Sequence, residues 1–258
     1  MTNHLFFLVV AGFAAGLVAS LGGLGSLVSY PSLLLYGLAP VTANVTNTTA
    51  LTTLILGSAA GGRAELRGLR KRLLVLSSLA GLGGACGALL LLLLPSSVFE
   101  RVVPLLVAAG SLMVLGRDRI RTWLDRNRDS ELEVRVGRSP WVLGLAVTLT
   151  GVYTGYFGAA AGVAMLAILA IHYDEPHAVT NAVRVIVTAA ANVVAAVIFV
   201  VLAPVDWPAV LALGSGLFLG SFWGMRLVPR LPGHRLRTVV GYCGLLLAGW
   251  LAVKQFVL

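Results

Sequence analysis

Apolar residues run along this chain in eight long blocks, at 5–39, 42–62, 73–94, 102–116, 140–172, 177–203, 208–226 and 238–255. Six are close to the ~20 residues an α-helix needs to cross the hydrocarbon core, and each predicts one membrane-spanning helix. The blocks at 5–39 and 140–172 are too long for a single crossing. At 1.5 Å per residue the second would make a helix of about 50 Å against a core of about 30 Å. Both carry small residues near the middle, SLGGLGS from Ser20 and GVYTGYFGAAAG from Gly151, and glycine weakens a helix interior. They predict helices that enter the membrane, break and turn back. The breaks are expected at Gly22, Gly23, Gly25 and Ser26 in the first and at Gly158 and Gly162 in the second, with Pro31 letting the chain restart after the first break.

Composition agrees with a bilayer protein, since 58% of the 258 residues are hydrophobic and only 11% are charged. The net charge of +9 does not point to nucleic acid, because sixteen of the nineteen Lys and Arg fall in three short stretches, 63–72, 117–138 and 226–237. Short basic loops stay cytoplasmic, so these mark the cytoplasmic side of a multi-pass membrane protein, where they also meet anionic lipid headgroups. The N-terminal apolar stretch has no Lys or Arg before it and continues past Ser29, which predicts a span rather than a cleaved leader. Parity supplies the next constraint. Three single crossings lie between 117–138 and 226–237, which would put the last basic loop outside unless one block crosses an even number of times. The over-long 140–172 is the candidate.

The chain also reads as a duplication. Gly16 and Gly151, and Gly23 and Gly158, are related by an offset of 135. APVTANVTN (39–47) lies against EPHAVTNAVR (175–184), placing Asn44 opposite Asn181 and Asn47 opposite Arg184. The expected fold is an all-α polytopic membrane protein of two repeats, 1–116 and 139–258, joined by a charged cytoplasmic connector at 117–138. Each repeat has a broken or re-entrant first segment and three further helices. That makes an odd number of crossings per repeat, so the second repeat is inverted, a common construction in secondary transporters.

No catalytic constellation is visible. His4, His172, His177 and His234 have no metal-ligand spacing, and no nucleotide-binding loop occurs, so neither an enzyme, a metal site nor a cofactor is expected. Cys86 and Cys243 lie in apolar spans, where a thiol behaves as a small hydrophobe. Polar residues inside spans are more informative because hydrocarbon makes them costly. Asn181, Arg184, Thr188 and Asn192 recur at three and four residues, as do Asn44, Thr48 and Thr52, so each set forms a stripe on a helix. Asn44, Asn47, Thr48, Asn181, Arg184 and Thr188 are the candidate substrate residues. Two other uses stay open: the amides and hydroxyls could bond neighbouring helices, and Arg184 could reach toward an interface. Gly81, Gly84 and Gly87, with Gly216, Gly220 and Gly224, read as close-packing surfaces.

These residues together resemble the sulfite exporter TauE/SafE family of membrane transporters over nearly the whole chain. In the first half the resemblance rests on GGLGS, YPSLLLYGLAP, ANVTNTTAL and GGRAELR. In the second it rests on GYFGAAAGVAMLAIL, NAVR (181–184), VDW and RLVPRLPGHRLR. The family pattern has more glycine where this chain has Ala159, Ala160 and Ala161. The resemblance implies a transporter of a small sulfur-containing anion such as sulfite or an organosulfonate, with export the expected direction. Alternating access about a site near the membrane midplane is the expected mechanism. A membrane accessory protein for a redox or metallo-enzyme and a passive anion channel are the competing readings, and a homo-oligomer is left open.

Overall fold

The computed structural model describes residues 2–20, 23–54, 68–126, 139–173, 175–227 and 233–256. Among these are ten helices and no strand: α1 Thr2–Ser20, α2 Ser26–Tyr36, α3 Pro40–Leu51, α4 Arg70–Leu93, α5 Ser96–Arg126, α6 Pro140–Tyr156, α7 Ala161–His172, α8 His177–Leu202, α9 Trp207–Leu227 and α10 Gly233–Phe256. Four stretches of helix, Arg70–Leu93, Ser96–Gly116, Val179–Leu202 and Trp207–Gly224, are long and apolar enough to cross a bilayer. In the Val179–Leu202 helix only 28% of the most apolar window is buried within the protein. A surface this apolar requires lipid around it.

Both over-long blocks are broken near the residues named. The first helix ends at Ser20, whose hydroxyl bonds back to the Gly16 carbonyl at 3.1 Å. Gly23 follows at φ +80°, its N–H donating to the Ala19 carbonyl at 2.7 Å. The second break runs through Gly158 at φ +73° and Ala160 at φ +60°. Ala160 thus holds the left-handed conformation where the resembled pattern carries glycine, a strain of roughly 1–2 kcal/mol. Pro31 lies inside α2, five residues after its start, so it does not restart the chain as expected. The restart falls at Ser26, set by the Gly23 turn and the Gly25 cap. At the far end of α2, Gly37 is left-handed and the Leu38 N–H reaches the Leu33 carbonyl at 3.1 Å, a Schellman stop that places Pro40 at the first position of α3. The 117–138 connector is also not wholly loop, because α5 continues helically through Arg126.

The closest packing occurs twice. α1 packs along α9, and α6 packs along α4. A Cβ on Gly216 would meet the Val9 carbonyl and the Phe13 N, and one on Gly83 would meet the Thr148 carbonyl and the Val152 N. The same relation joins Gly220 to Phe13 and Gly87 to Val152. Contacts rise in step along both chains, so each pair is parallel. They match at a constant step of 139 residues from α1 to α6, as Val9 to Thr148 and Phe13 to Val152, and of 133 from α4 to α9, as Gly83 to Gly216 and Gly87 to Gly220. In packing, therefore, Gly16 corresponds to Gly155, since both approach matching carbonyls, Leu217 and Gly84. The sequence offset of 135 that pairs Gly16 with Gly151 fails here by four residues, about one helical turn. Helix α1 carries that extra turn before Gly23, and the break itself keeps the 135 offset to Gly158.

At one end of the bundle the first turns of α4 meet the α7–α8 link. The Arg72 guanidinium lies 2.7 Å from the Glu175 carboxylate and 3.2 Å above the centre of the Tyr173 ring. The start of α4 and the start of α8 are thereby held together. Both charged side chains retain some exposure, 15% and 26%, so screening limits the pair. A double-mutant cycle of Arg72→Ala and Glu175→Gln in thermal unfolding is expected to give a coupling of about 1 kcal/mol.

Candidate substrate site

The two breaks, between α1 and α2 and between α6 and α7, meet in the interior. A Cβ on Gly23 would stand 2.6 Å from Nη1 of Arg184 and 3.1 Å from the Cα of Gly162. The Ser26 hydroxyl lies 3.5 Å from the Gly158 carbonyl. Gly23 and Ser26 open α2, and Gly158 and Gly162 open α7, so the N-terminal ends of α2 and α7 converge beside one guanidinium. Each such end carries roughly half a positive charge from its unpaired N–H groups. Arg184 is only 4% exposed. It is held through α8, which packs on α7 and α3, and its Nε donates to the Asn181 side-chain oxygen at 3.1 Å.

Helix α3 carries a further set of buried polar residues. Asn44 is fully buried, and its side-chain N–H donates to the Tyr156 carbonyl at 2.9 Å, tying α3 to the last residue of α6 before the second break. The Asn47 side-chain oxygen accepts from the Ser29 hydroxyl at 2.5 Å, tying α3 to α2. Thr48 is buried on the same helix. Thr188 sits one turn beyond Arg184 on α8, and its backbone carbonyl accepts from the Asn192 amide at 3.3 Å. Of the predicted residues, Gly23 lies against both Arg184 and Gly162, Arg184 bonds Asn181, and Ser26 reaches Gly158, while Asn44 and Asn47 bond Tyr156 and Ser29. Gly25 caps α2 without touching Arg184, and Gly22 lies outside the described residues.

Several buried polar atoms here have no partner among the described residues: Asn44 Oδ1, Asn47 Nδ2, Thr188 Oγ1 and the Tyr30 hydroxyl. Each costs roughly 1–3 kcal/mol when left unpaired. Ser29 and Tyr30 were not among the expected residues. Tyr30 stacks edge-on against Phe157 at 5.2 Å, and Phe99 packs on both Tyr156 and Phe157, which fixes the second break from the other side. Ser26, Ser29, Tyr30 and Leu33 share one face of α2, and that three-and-four spacing was the signal available in the sequence. The expected packing role of the glycines is seen at Gly84, Gly87, Gly216, Gly220 and Gly224, each meeting a neighbouring helix more closely than a Cβ would allow.

Curated proteins similar to this chain carry transport descriptions. A "Probable membrane transporter protein" of Haemophilus influenzae is 26% identical over 87% of this chain and 85% of its own length. The "Probable membrane transporter protein ORF9" of a Sinorhizobium species is 29% identical over 86% and 82%. The "Probable membrane transporter protein YfcA" of Escherichia coli K12 is 28% identical over 87% and 79%. No solved structure matches. The protein is thus a multi-pass helical membrane transporter, and its family and relatives are transporters rather than enzymes. More particularly, residues 8–251 match the family described as "Sulfite exporter TauE/SafE", and the chain belongs to that family.

Proposed function

We propose that the protein exports a small sulfur-containing oxyanion, such as sulfite or an organosulfonate, across the bacterial inner membrane by alternating access. The observation that carries this reading is the convergence of two helix N-termini on the buried Arg184 guanidinium. An oxyanion placed beside the guanidinium and the two helix ends gains from all three. Guanidinium forks and backbone N–H groups suit oxygens of planar or tetrahedral anions. The unpaired donors of Asn47, Thr188 and Tyr30 add neutral hydrogen bonds of the kind that orient such a group.

Alternating access between two inverted halves is supported by the doubled packing. Helix α1 runs parallel to α9, and α6 runs parallel to α4. We take the short 203–206 link to reverse the chain between α8 and α9, while the Arg72–Glu175 pair holds the starts of α4 and α8 together. The α1–α9 and α4–α6 pairs then point opposite ways, as inversion requires. The described ends of the basic stretches, at the start of α4, the end of α5 and the end of α9, fall on one side under this arrangement. With the cytoplasm negative, expelling one anionic charge gains about 2.3 kcal/mol per 100 mV, so export runs on the membrane potential without a coupled ion.

A binding screen on purified protein over sulfite, sulfate, thiosulfate, sulfoacetate and simple carboxylates tests the substrate class. A saturable rise in thermal stability with at least one sulfur oxyanion, and none with carboxylates at equal concentration, is expected. Absence of any anion response, together with one stoichiometric co-purifying partner, would replace transport of sulfur anions by the accessory-protein reading.

A further inference from the structure

We infer that Gly23 positions Arg184: the side chain this residue lacks is the seat of the guanidinium. The turn between α1 and α2 thereby sets the orientation in which the second half presents its cation. The inference rests on the reading of Arg184 as the anion's partner. Gly23 needs glycine for its backbone, since φ is +80°. The space where a Cβ would stand is a separate fact, filled by Nη1 of Arg184 at 2.6 Å and by Gly162 Cα at 3.1 Å. The turn is itself fixed by the Gly23 N–H to Ala19 bond at 2.7 Å. At its other edge the guanidinium is held by Nε donating to Asn181 at 3.1 Å. Nη1 and Nε so placed, with Cδ carried by the chain, give the three points that define the plane of a guanidinium, and paired recognition of two oxygens works only in that plane. Gly23 belongs to the turn between α1 and α2 and Arg184 to α8, so neither half orients the cation alone.

Backbone need and seat can be separated. Asparagine tolerates the left-handed conformation better than other residues bearing a Cβ, so Gly23→Asn fills the seat at small backbone cost. Gly158, at φ +73°, makes the same backbone demand, but its Cβ would meet the Thr154 carbonyl at 2.8 Å and no guanidinium. Gly158→Asn is therefore the matched comparison, and Gly23→Ala is a second variant with a smaller side chain.

The experiment measures radiolabelled sulfite transport in proteoliposomes and thermal unfolding in detergent without sulfite. Gly23→Asn and Gly23→Ala are expected to raise KM about tenfold or more, the scale of a misplaced binding group. Turnover per folded protein changes less than KM, and Gly158→Asn shifts KM less. In an Arg184→Lys background, where Nη1 is gone, Gly23→Asn adds no further change in KM and a smaller loss of thermal stability than in the wild type. Equal effects of Gly23→Asn in the two backgrounds, on KM and on unfolding temperature alike, would overturn the seat. A wild-type KM for Arg184→Lys alone would instead overturn the substrate role of Arg184, and the unfolding cycle would still decide whether Gly23 seats it.

Discussion

Gly87→Ala and its packing counterpart Gly220→Ala are each expected to cost about 3 kcal/mol or more and to leave little monodisperse protein after solubilisation. The cause is the same at both places. A Cβ on Gly87 would enter the Val152 carbonyl and stand 2.7 Å from the Tyr156 N, and one on Gly220 would enter the Phe13 carbonyl. These are backbone atoms of a parallel helix, which cannot rotate aside as a side chain can. Accommodation requires the two axes to part, and the contacts along both helices part with them. Tyr156 is also the residue whose carbonyl is bonded by Asn44, so displacement at Gly87 reaches the second break directly. Gly249→Ala is the control. Nothing lies within 4 Å of that position, and alanine there is expected to be neutral or to stabilise by up to about 1 kcal/mol. Tryptophan-fluorescence melting and size-exclusion profiles in detergent read all three. Equal stability of Gly87→Ala and Gly249→Ala would show that α4 and α6 are not in backbone contact.

The breaks in the two over-long segments could be read from residues whose physics is local. Length against bilayer thickness exposed the two over-long blocks, and small residues located their breaks near Gly23 and Gly158. The positive φ at both confirms the reason those positions need glycine. What escaped was set by neighbours that no local pattern names. Pro31 signals a break in isolation, yet α2 carries it internally because packing and the Gly25 start define the helix. The one-turn difference between α1 and α6 was hidden because Gly16 and Gly151 match in sequence, while Gly16 and Gly155 match in what they touch. Arg184 stood out as a charge inside a span. Its contact with Gly23 joins residues 161 positions apart and has no signature at either end. Ser29 and Tyr30 were overlooked because three-and-four spacing in a short serine-bearing helix carries little weight until α3 is seen to bond it.

Arg184→Ala is expected to abolish transport while the protein still folds. The wild-type residue is 4% exposed and lies against Gly23 at the turn before α2, so in the proposed site it supplies a full positive charge beside dipoles and hydroxyls. Removing a buried charge-assisted partner of an anion costs about 2–5 kcal/mol, which corresponds to a loss of roughly 30-fold to several thousand-fold. Folding suffers less, because its bonded neighbour Asn181 lies on the same helix one turn away, where it is half-buried rather than sealed. Lysine keeps the charge without the fork and is expected to retain partial activity with a raised KM.

The direct measurement is sulfite counterflow in proteoliposomes loaded with unlabelled sulfite. Wild-type protein should take up labelled sulfite saturably, faster than vesicles loaded with chloride, and Arg184→Ala should match protein-free vesicles. Labelled sulfite entering wild-type vesicles no faster than empty ones, or as fast through Arg184→Ala as through the wild type, would contradict an anion carrier built around Arg184.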